Sequence, residues 1–173
     1  MGGELRQEYD CMGCVEVPAE ALWGAQTQRA CHNFAIGNQR IPAELIHALA
    51  LIKGCCAEVN GRHDLLTEQQ VQAIERAAAA IADGSHDNQF PLSVWQTGSG
   101  TQTNMNVNEV ISNLAAKYAG CPLGSQDPVH PNDHVNRSQS TNDVFPAAIH
   151  IAAVLLLQDS LLPELDRLTM SLD

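Results

Sequence analysis

The stretch AAIHIAAVLLL, residues 147–157, is apolar on nearly every side of the helix that it predicts. A helix at a protein surface shows a single apolar stripe, so a helix of this kind needs partners around its whole circumference. Pro146 and His150 interrupt the stretch and Gln158 ends it, well short of the roughly 20 apolar residues of a membrane span. We therefore expect a core helix of a helical bundle, bent or broken locally at Pro163.

Capping signals predict further helices before this one. Pro42 opens a helix in its first turn, and Thr67 with Gln70 forms a capping box for the next. The predicted helices cover residues 42–60, 67–84 and 103–118. Proline and glycine punctuate residues 15–40, which indicates an irregular or short-strand segment, and residues 1–14 are expected to be a tail.

Composition agrees with a mainly α protein. The 173 residues are 45% apolar but only 4% aromatic, which indicates aliphatic helix packing rather than a β-sandwich. A net charge of −11 argues against nucleic acid and anionic membranes as partners. Residues 1–10 have no apolar signal core, so we expect a cytoplasmic protein with reduced cysteines. Cys11 and Cys14 are interpreted as an incidental pair, and neither a metal nor a cofactor is expected.

Two polar segments concentrate amide and hydroxyl side chains in this aliphatic chain: WQTGSGTQTNMNVNEVISN (95–113) and VHPNDHVNRSQSTNDVFP (129–146). Each precedes or opens a predicted helix, and a helix N-terminus with free N–H groups favours anions. Hydroxyl caps are predicted within 99–103 and 138–142. Two such helix starts could each hold one carboxylate of a small dicarboxylate. The alternative is that both segments are plain turns with N-caps.

Read with LWGAQTQR (22–29) and FPLSVWQTG (90–98), these segments closely resemble the class II fumarases of the fumarase/aspartase superfamily. The resemblance implies the N-terminal helical domain of that fold at residues 15–138, with a short irregular or β segment at its start. It also implies that residues 139–173 are the start of the long central bundle helix. Aspartases share the NMNxNEV core, and Thr141 stands where fumarases often have a serine, a form also familiar in aspartases.

The resemblance implies reversible hydration of fumarate to malate, a reaction of the tricarboxylic acid cycle, in a homotetramer formed through the central helices. The implied substrate-binding donors are Ser99, Thr101, Ser140, Thr141 and Asn142. None of them is suited to be the base. In the superfamily the base, a serine on a Gly-Ser-Ser loop, and a helper histidine lie further along than residue 173. We therefore expect this chain alone to be inactive, and to self-associate or be unstable.

A second implied site comprises His130, Asn132 and Asp133, which resemble an accessory dicarboxylate site near the entrance to the catalytic site. Fumarases often have a basic residue shortly before this histidine, whereas residues 126–128 here are Gln-Asp-Pro. The alternative is a turn in which Asp133 accepts local backbone N–H groups. For the whole chain, the alternatives to a fumarase are an aspartate ammonia-lyase and a non-catalytic helical assembly module.

Overall fold

The chain begins with an antiparallel hairpin in the computed structural model, which describes residues 4–172. Strand β1 (Leu5–Asp10) pairs with β2 (Gly13–Pro18) in a register that places Leu5 opposite Pro18 and Asp10 opposite Gly13. Residues 5–14 belong to the segment predicted to be a tail, so that part of the prediction is corrected. The short β segment at the start is confirmed.

Arg6 explains why these residues are ordered. Its guanidinium donates hydrogen bonds to the carbonyls of Pro18, Ala19, Ala21 and Trp23 at 2.6–3.0 Å. Donors of a charged guanidinium make stronger hydrogen bonds than neutral ones. One side chain of β1 therefore holds the segment that leads out of β2, a contact between residues 12 to 17 positions apart that no local pattern reveals.

Helix α1 (Ala25–Asn33) lies within the segment predicted to be irregular, and its presence is a second correction. Its N-cap, Gly24, has no side chain that could cap the helix. The acceptor comes instead from Glu109, whose carboxylate accepts the backbone N–H groups of Gly24, Gln26 and Thr27 at 2.8–3.1 Å. A cap supplied from more than 80 residues away is invisible to a reading of the local sequence.

Helices α2 (Ala43–Arg62) and α3 (Glu68–Ala82) form the predicted pair and pack on each other. The capping box of α3 is present: Gln70 N donates to Thr67 Oγ1 at 3.3 Å and Thr67 N donates to Gln70 Oε1 at 3.0 Å. A 3₁₀ turn follows at Asp87–Gln89. The two helices bury aliphatic side chains in the main core, which include Ile46, Leu49, Ile74, Ala77 and Ile81.

Helix α4 (Thr101–Ala119) runs through the centre of the molecule and starts two residues before the predicted position. Residues 103–116 are all buried, although this run contains four asparagines. Several of these polar groups bind backbone of other segments: Asn106 Nδ2 donates to Gln89 O and Asn113 Nδ2 donates to Leu22 O. Buried polar groups need such partners, so α4 both fills the core and holds the surrounding loops by hydrogen bonds to their backbone carbonyls.

A π-helical turn (Pro131–Val135) leads to α5 (Thr141–Leu156), which continues through a second π-helical turn (Leu157–Leu161) into α6 (Leu162–Leu172). Pro163 does not break the helix. Proline has no N–H to donate to the carbonyl four residues earlier, and its ring would clash with that carbonyl in a regular α-helix. The turn before Pro163 widens to a π-helical turn instead. The mainly α fold predicted from the sequence is confirmed.

The α5–α6 rod exposes most of its apolar surface. Val144, Ala148 and Ala152 face the core, whereas the large side chains between Ile149 and Leu168 are 36–55% exposed. Residues Thr141–Leu172 are long and apolar enough, by length and composition, to cross a membrane. The prediction from the sequence that the helix is too short for this is therefore wrong. Core helices of soluble helical proteins have the same composition.

Candidate functional site

The loop that enters α4 carries a chain of hydroxyl groups. Ser99 Oγ lies 2.8 Å from Thr101 Oγ1 and 3.2 Å from Thr97 Oγ1, and both Ser99 and Thr101 are exposed. The predicted hydroxyl cap is absent, because the N-cap is Gly100, with φ 72° and no side chain. Gln96 Oε1 accepts the Thr103 amide instead, at 3.1 Å. Ser99 Oγ also accepts the Thr101 amide at 3.4 Å, and the exposed side chains of Ser99 and Thr101 remain accessible to a ligand.

The start of α5 is equally open. Ser140 is its N-cap, as predicted, but its side chain makes no capping hydrogen bond. Ser140 and Asn142 are exposed and Thr141 is half-buried. Since the first N–H groups of an α-helix have no intrahelical acceptor, this end offers backbone donors beside the side-chain donors. Its positive dipole end favours an anion.

Two contacts bring these helix starts together. The Phe145 ring of α5 lies against Gly100, where an added Cβ would be 2.4 Å from Phe145 Cγ. Asn104 Nδ2 of α4 donates to Thr141 Oγ1 of α5 at 3.2 Å. The five predicted donors are thus carried by two adjacent helix ends, which is the arrangement that a small dicarboxylate needs.

A polar network that the sequence reading missed lies behind these donors. Asn136 Oδ1 accepts hydrogen bonds from Asn104 Nδ2, Asn108 Nδ2 and Lys53 Nζ at 3.1, 3.3 and 2.9 Å. Lys53 Nζ also donates to Gln139 Oε1 at 2.9 Å. The NMNxNEV run contains the two α4 asparagines, so part of the signal was in the sequence. Lys53, on α2, is more than 80 residues away from its two amide partners.

His130 and Asn132 line a different cavity, of about 300 Å³, together with Glu8, Asp10 and Glu109. His130 Nδ1 accepts the amides of Asn132 and Asp133 at 3.2 and 3.1 Å, so the imidazole caps the π-helical turn. The local-turn alternative is thus right about the turn, but the acceptor is His130 rather than Asp133.

The charged groups that line this cavity give little attraction to a dianion. Three carboxylate side chains line it, and no lysine or arginine does so among residues 4–172. Burial raises the pKa of Glu109, while the backbone amides that it accepts act in the opposite direction. The Arg29 guanidinium lowers the pKa of Asp10, which keeps that carboxylate ionised. Arg6 pairs with Glu8 and Arg29 pairs with Asp10, so two of the three carboxylates are already balanced by a cation. A dicarboxylate would find no unpaired cation among the described residues of this lining, because His130 Nδ1 serves as an acceptor.

The cysteines form no centre of their own. Cys11 and Cys14, at the hairpin turn, are exposed free thiols, and the remaining four cysteines are free thiols as well. Within residues 4–172 no group of three or more His, Cys, Asp and Glu side chains could hold a metal ion. The candidate site therefore consists of neutral donors and helix ends.

Known proteins of the fumarate hydratase class II are similar to this chain in sequence. The chain is 73% identical over all 173 residues to fumarate hydratase class II of Parasynechococcus marenigrum and 65% identical over 168 residues to that of Prochlorococcus marinus strain MIT 9313. It covers 37% and 36% of the length of these two relatives, so it spans little more than a third of the curated proteins it matches.

Solved structures of related proteins have a similar fold. The crystal structure of class II fumarase from Schistosoma mansoni superimposes with a TM-score of 0.90 at 41% identity, over 94% of this chain and 34% of that one. A fumarate lyase:delta crystallin structure from Brucella melitensis gives 0.86 at 41% identity, over 90% of this chain and 36% of that one. The model of the lyase family matches residues 13–173, and the chain therefore belongs to the lyase family.

Proposed function

We propose that this chain is the N-terminal portion of a fumarate hydratase, which adds water reversibly to fumarate to give malate. The observation that carries the proposal is the convergence of two open helix starts. The Gly100–Phe145 contact and the Asn104–Thr141 hydrogen bond bring them together, and Ser99, Thr101, Ser140, Thr141 and Asn142 are their donors. The 73% identity to a fumarate hydratase supports the same reaction.

These donors bind and polarise the substrate. Removal of the proton beside one carboxylate of malate creates a doubly charged aci-carboxylate, and preorganised hydroxyl, amide and N–H donors stabilise such a charge most effectively when water is excluded. Serine, threonine and asparagine side chains do not titrate near neutral pH, so none of the five serves as the general base. The general base is therefore a group outside these five donors.

The His130 cavity is the weaker candidate for the substrate. His130 and Asn132 line it beside three carboxylates, and Asp133 is exposed. Two open helix starts attract a dianion, whereas the carboxylates of this lining already hold the nearby arginines and leave no unpaired cation for it among the described lining residues. We assign the substrate to the donors of α4 and α5, and an accessory anion at His130, Asn132 and Asp133 would bind more weakly.

A chimera tests the proposal. Residues 1–173 replace the corresponding N-terminal 37% of the Parasynechococcus fumarate hydratase, and the loss of fumarate absorbance in the ultraviolet is followed. The unaltered relative is the positive control, and the 173-residue chain alone is expected to be inactive. A correctly assembled chimera that does not hydrate fumarate, beside an active control, would refute the proposal.

Thr141 gives one reason to test a second reaction, because this position carries the residue familiar from aspartases. Aspartate ammonia-lyase also binds a dicarboxylate and removes a proton beside one carboxylate, so the same donors would serve. The chimera is supplied with aspartate and ammonia release is measured. Ammonia release faster than fumarate hydration would favour this second function over the first.

The exposed face of α5 and α6 supports assembly. Ile149, Leu155, Leu156 and Leu162 are 40–52% exposed, and an apolar surface of this kind marks an interaction site. We propose that these helices pack with those of other subunits in a homotetramer, in a cytoplasmic enzyme of the tricarboxylic acid cycle. Light scattering should show self-association of the 173-residue chain and a tetramer for the chimera. A monomeric chain that binds no hydrophobic dye would contradict the assembly.

A further inference from the structure

Lys53 is the most unusual charge among the described residues. Its side chain on α2 is fully buried, with 0% exposure. Lysines are almost never fully buried unless a carboxylate or another anion neutralises them, because the desolvation of an ammonium group is costly. Within residues 4–172 no aspartate or glutamate side chain forms an ion pair with Lys53, in a chain with 20 acidic residues.

Its partners are neutral amides. Lys53 Nζ donates to Asn136 Oδ1 and to Gln139 Oε1, both at 2.9 Å. An aspartate at 136 or a glutamate at 139 would have similar shape and would neutralise the ammonium group. Amides keep the geometry and leave the positive charge uncompensated. Burial lowers the pKa of Lys53 to about 7, as expected for a charge without an anionic partner.

The network ends at the proposed donors. Gln139 Nε2 donates to Val135 O at 2.8 Å, and Asn136 Nδ2 donates to Gln139 O at 3.3 Å. Residues 136–139 are therefore fixed by their own side chains and by Lys53, and the next residue is Ser140, the N-cap of α5. Asn104 belongs to the same network and donates to both Asn136 and Thr141.

We propose that Lys53 is a positioning residue of the dicarboxylate site: it fixes residues 136–139 ahead of Ser140, Thr141 and Asn142, and its uncompensated charge favours a doubly negative ligand there. The inference rests on the proposed function and deepens it. A dianion close to the network balances the positive charge of Lys53, which no carboxylate of the described residues pairs with. Binding of the ligand and protonation of Lys53 then strengthen each other, as linkage requires.

The groups that face Lys53 allow the coupling between its protonation and ligand binding to be measured from the pH dependence of binding. The Cys56 thiol on α2 is the titratable group that acts on the Lys53 charge, and burial raises the pKa of this thiol, so it is neutral near pH 7. Cys55 of α2 and Asp143 of α5 are the other titratable groups that act on that thiol. The contacts from residues 136–139 are the neutral amides. As pH rises through about 7, Lys53 loses its proton and the site loses its affinity for a dianion.

The experiment compares three variants of the active chimera. Lys53→Met removes the charge and Lys53→Arg keeps it. Asn136→Asp keeps the acceptor and neutralises the ammonium group, but it loses the Nδ2 donor to Gln139 O. KM and kcat for fumarate are measured from about pH 6 to about pH 9. If the dianion raises the pKa of Lys53 by about one unit, KM of the parent rises about tenfold over this range.

Lys53→Met and Asn136→Asp are expected to raise KM about tenfold at the low end of the range and to flatten its pH dependence. Lys53→Arg is expected to keep the low KM and remove the dependence. A purely structural lysine predicts a loss of thermal stability and kcat in Lys53→Met without a change in KM or in its pH dependence. That result, or a parent KM that stays constant between about pH 6 and about pH 9, overturns the inference. An inactive parent chimera would instead refute the proposed function.

Discussion

Substitution of Gly100 by alanine tests the contact on which the site depends. Gly100 has φ 72°, a left-handed conformation that costs an L-residue about 1–2 kcal/mol. The new Cβ would also lie 2.4–2.6 Å from three atoms of the Phe145 ring, whereas carbon atoms in contact are roughly 3.5–4.0 Å apart. Relief of such overpacking costs about 1–3 kcal/mol. Together the two effects amount to about 2–5 kcal/mol.

Two other glycines separate these effects. Gly120, at the other end of α4, has φ 75° but nothing within 4 Å of the methyl group that an alanine would add, so Gly120→Ala should cost only the backbone strain of about 1–2 kcal/mol. Gly98, in the same loop as Gly100, has neither a left-handed φ nor a neighbour within 4 Å. Gly98→Ala should therefore be close to neutral, and it is the matched control.

Hydrogen exchange of the chimera measures these costs locally. Because each 1.4 kcal/mol is a factor of ten in an opening equilibrium, Gly100→Ala should speed exchange in the first turns of α4 and α5 about 30-fold to several thousand-fold. Gly120→Ala should speed exchange only near its own end of α4, by about 5- to 30-fold. KM for fumarate should rise in Gly100→Ala alone.

A second substitution at Phe145 checks the cause. In Gly100→Ala/Phe145→Leu the smaller side chain leaves room for the methyl group, so the combined cost should be less than the sum of the single costs by about 1 kcal/mol or more. If Gly100→Ala exchanges like Gly98→Ala, or if the two substitutions are additive, the helix starts do not meet as described and the proposed site is wrong.

Three further predictions concern the groups that hold the site in place. Glu109→Gln should destabilise α1 by about 2–4 kcal/mol, because an amide cannot accept all three N–H groups; faster exchange in residues 24–28 checks it, and an unchanged rate would contradict it. Arg6→Met leaves four carbonyls without this donor and should make the hairpin sensitive to protease, whereas Gln7→Met, at an exposed site, should not. The lowered pKa of Lys53 means that the unfolded chain binds more protons above about pH 7, so the stability of the parent should rise with pH relative to Lys53→Met. Melting temperatures that differ by the same amount at every pH would refute this.

The local sequence predicted those elements whose causes are local. The capping box of α3 joins residues three positions apart, and the proline before α2 acts on its own turn. Helix α1 escaped prediction because its capping carboxylate is Glu109. The hydroxyl cap predicted for α4 failed for a related reason: the left-handed Gly100 takes the cap position and Gln96 supplies the acceptor from outside the helix.

The donor residues could be predicted only through the resemblance, and their support could not be predicted at all. Ser99 and Ser140 belong to motifs that are readable in the sequence. Lys53 appears there, with Glu58, as one of two charged residues in an otherwise apolar stretch, LALIKGCCAEV, where an exposed lysine is the ordinary expectation. Its burial depends on the packing of α2 against α5 and on two amides more than 80 residues away.

The placement of charge explains how a chain with a net charge of −11 can favour a dianion at one place. At the start of α1 the N–H groups are occupied by Glu109 and by Glu8, which accepts the Ala25 amide at 3.1 Å, so the protein fills that anion position itself. At the start of α4 the acceptor is the neutral Gln96, and no acidic residue lies in the first turn. At the start of α5 the cap makes no side-chain bond, the first-turn carboxylate of Asp143 is exposed, and the nearby buried charge, that of Lys53, is positive. Fields of helix ends and buried groups act over a few ångströms, whereas surface charges are screened beyond about 8–10 Å, so the local arrangement decides where an anion binds.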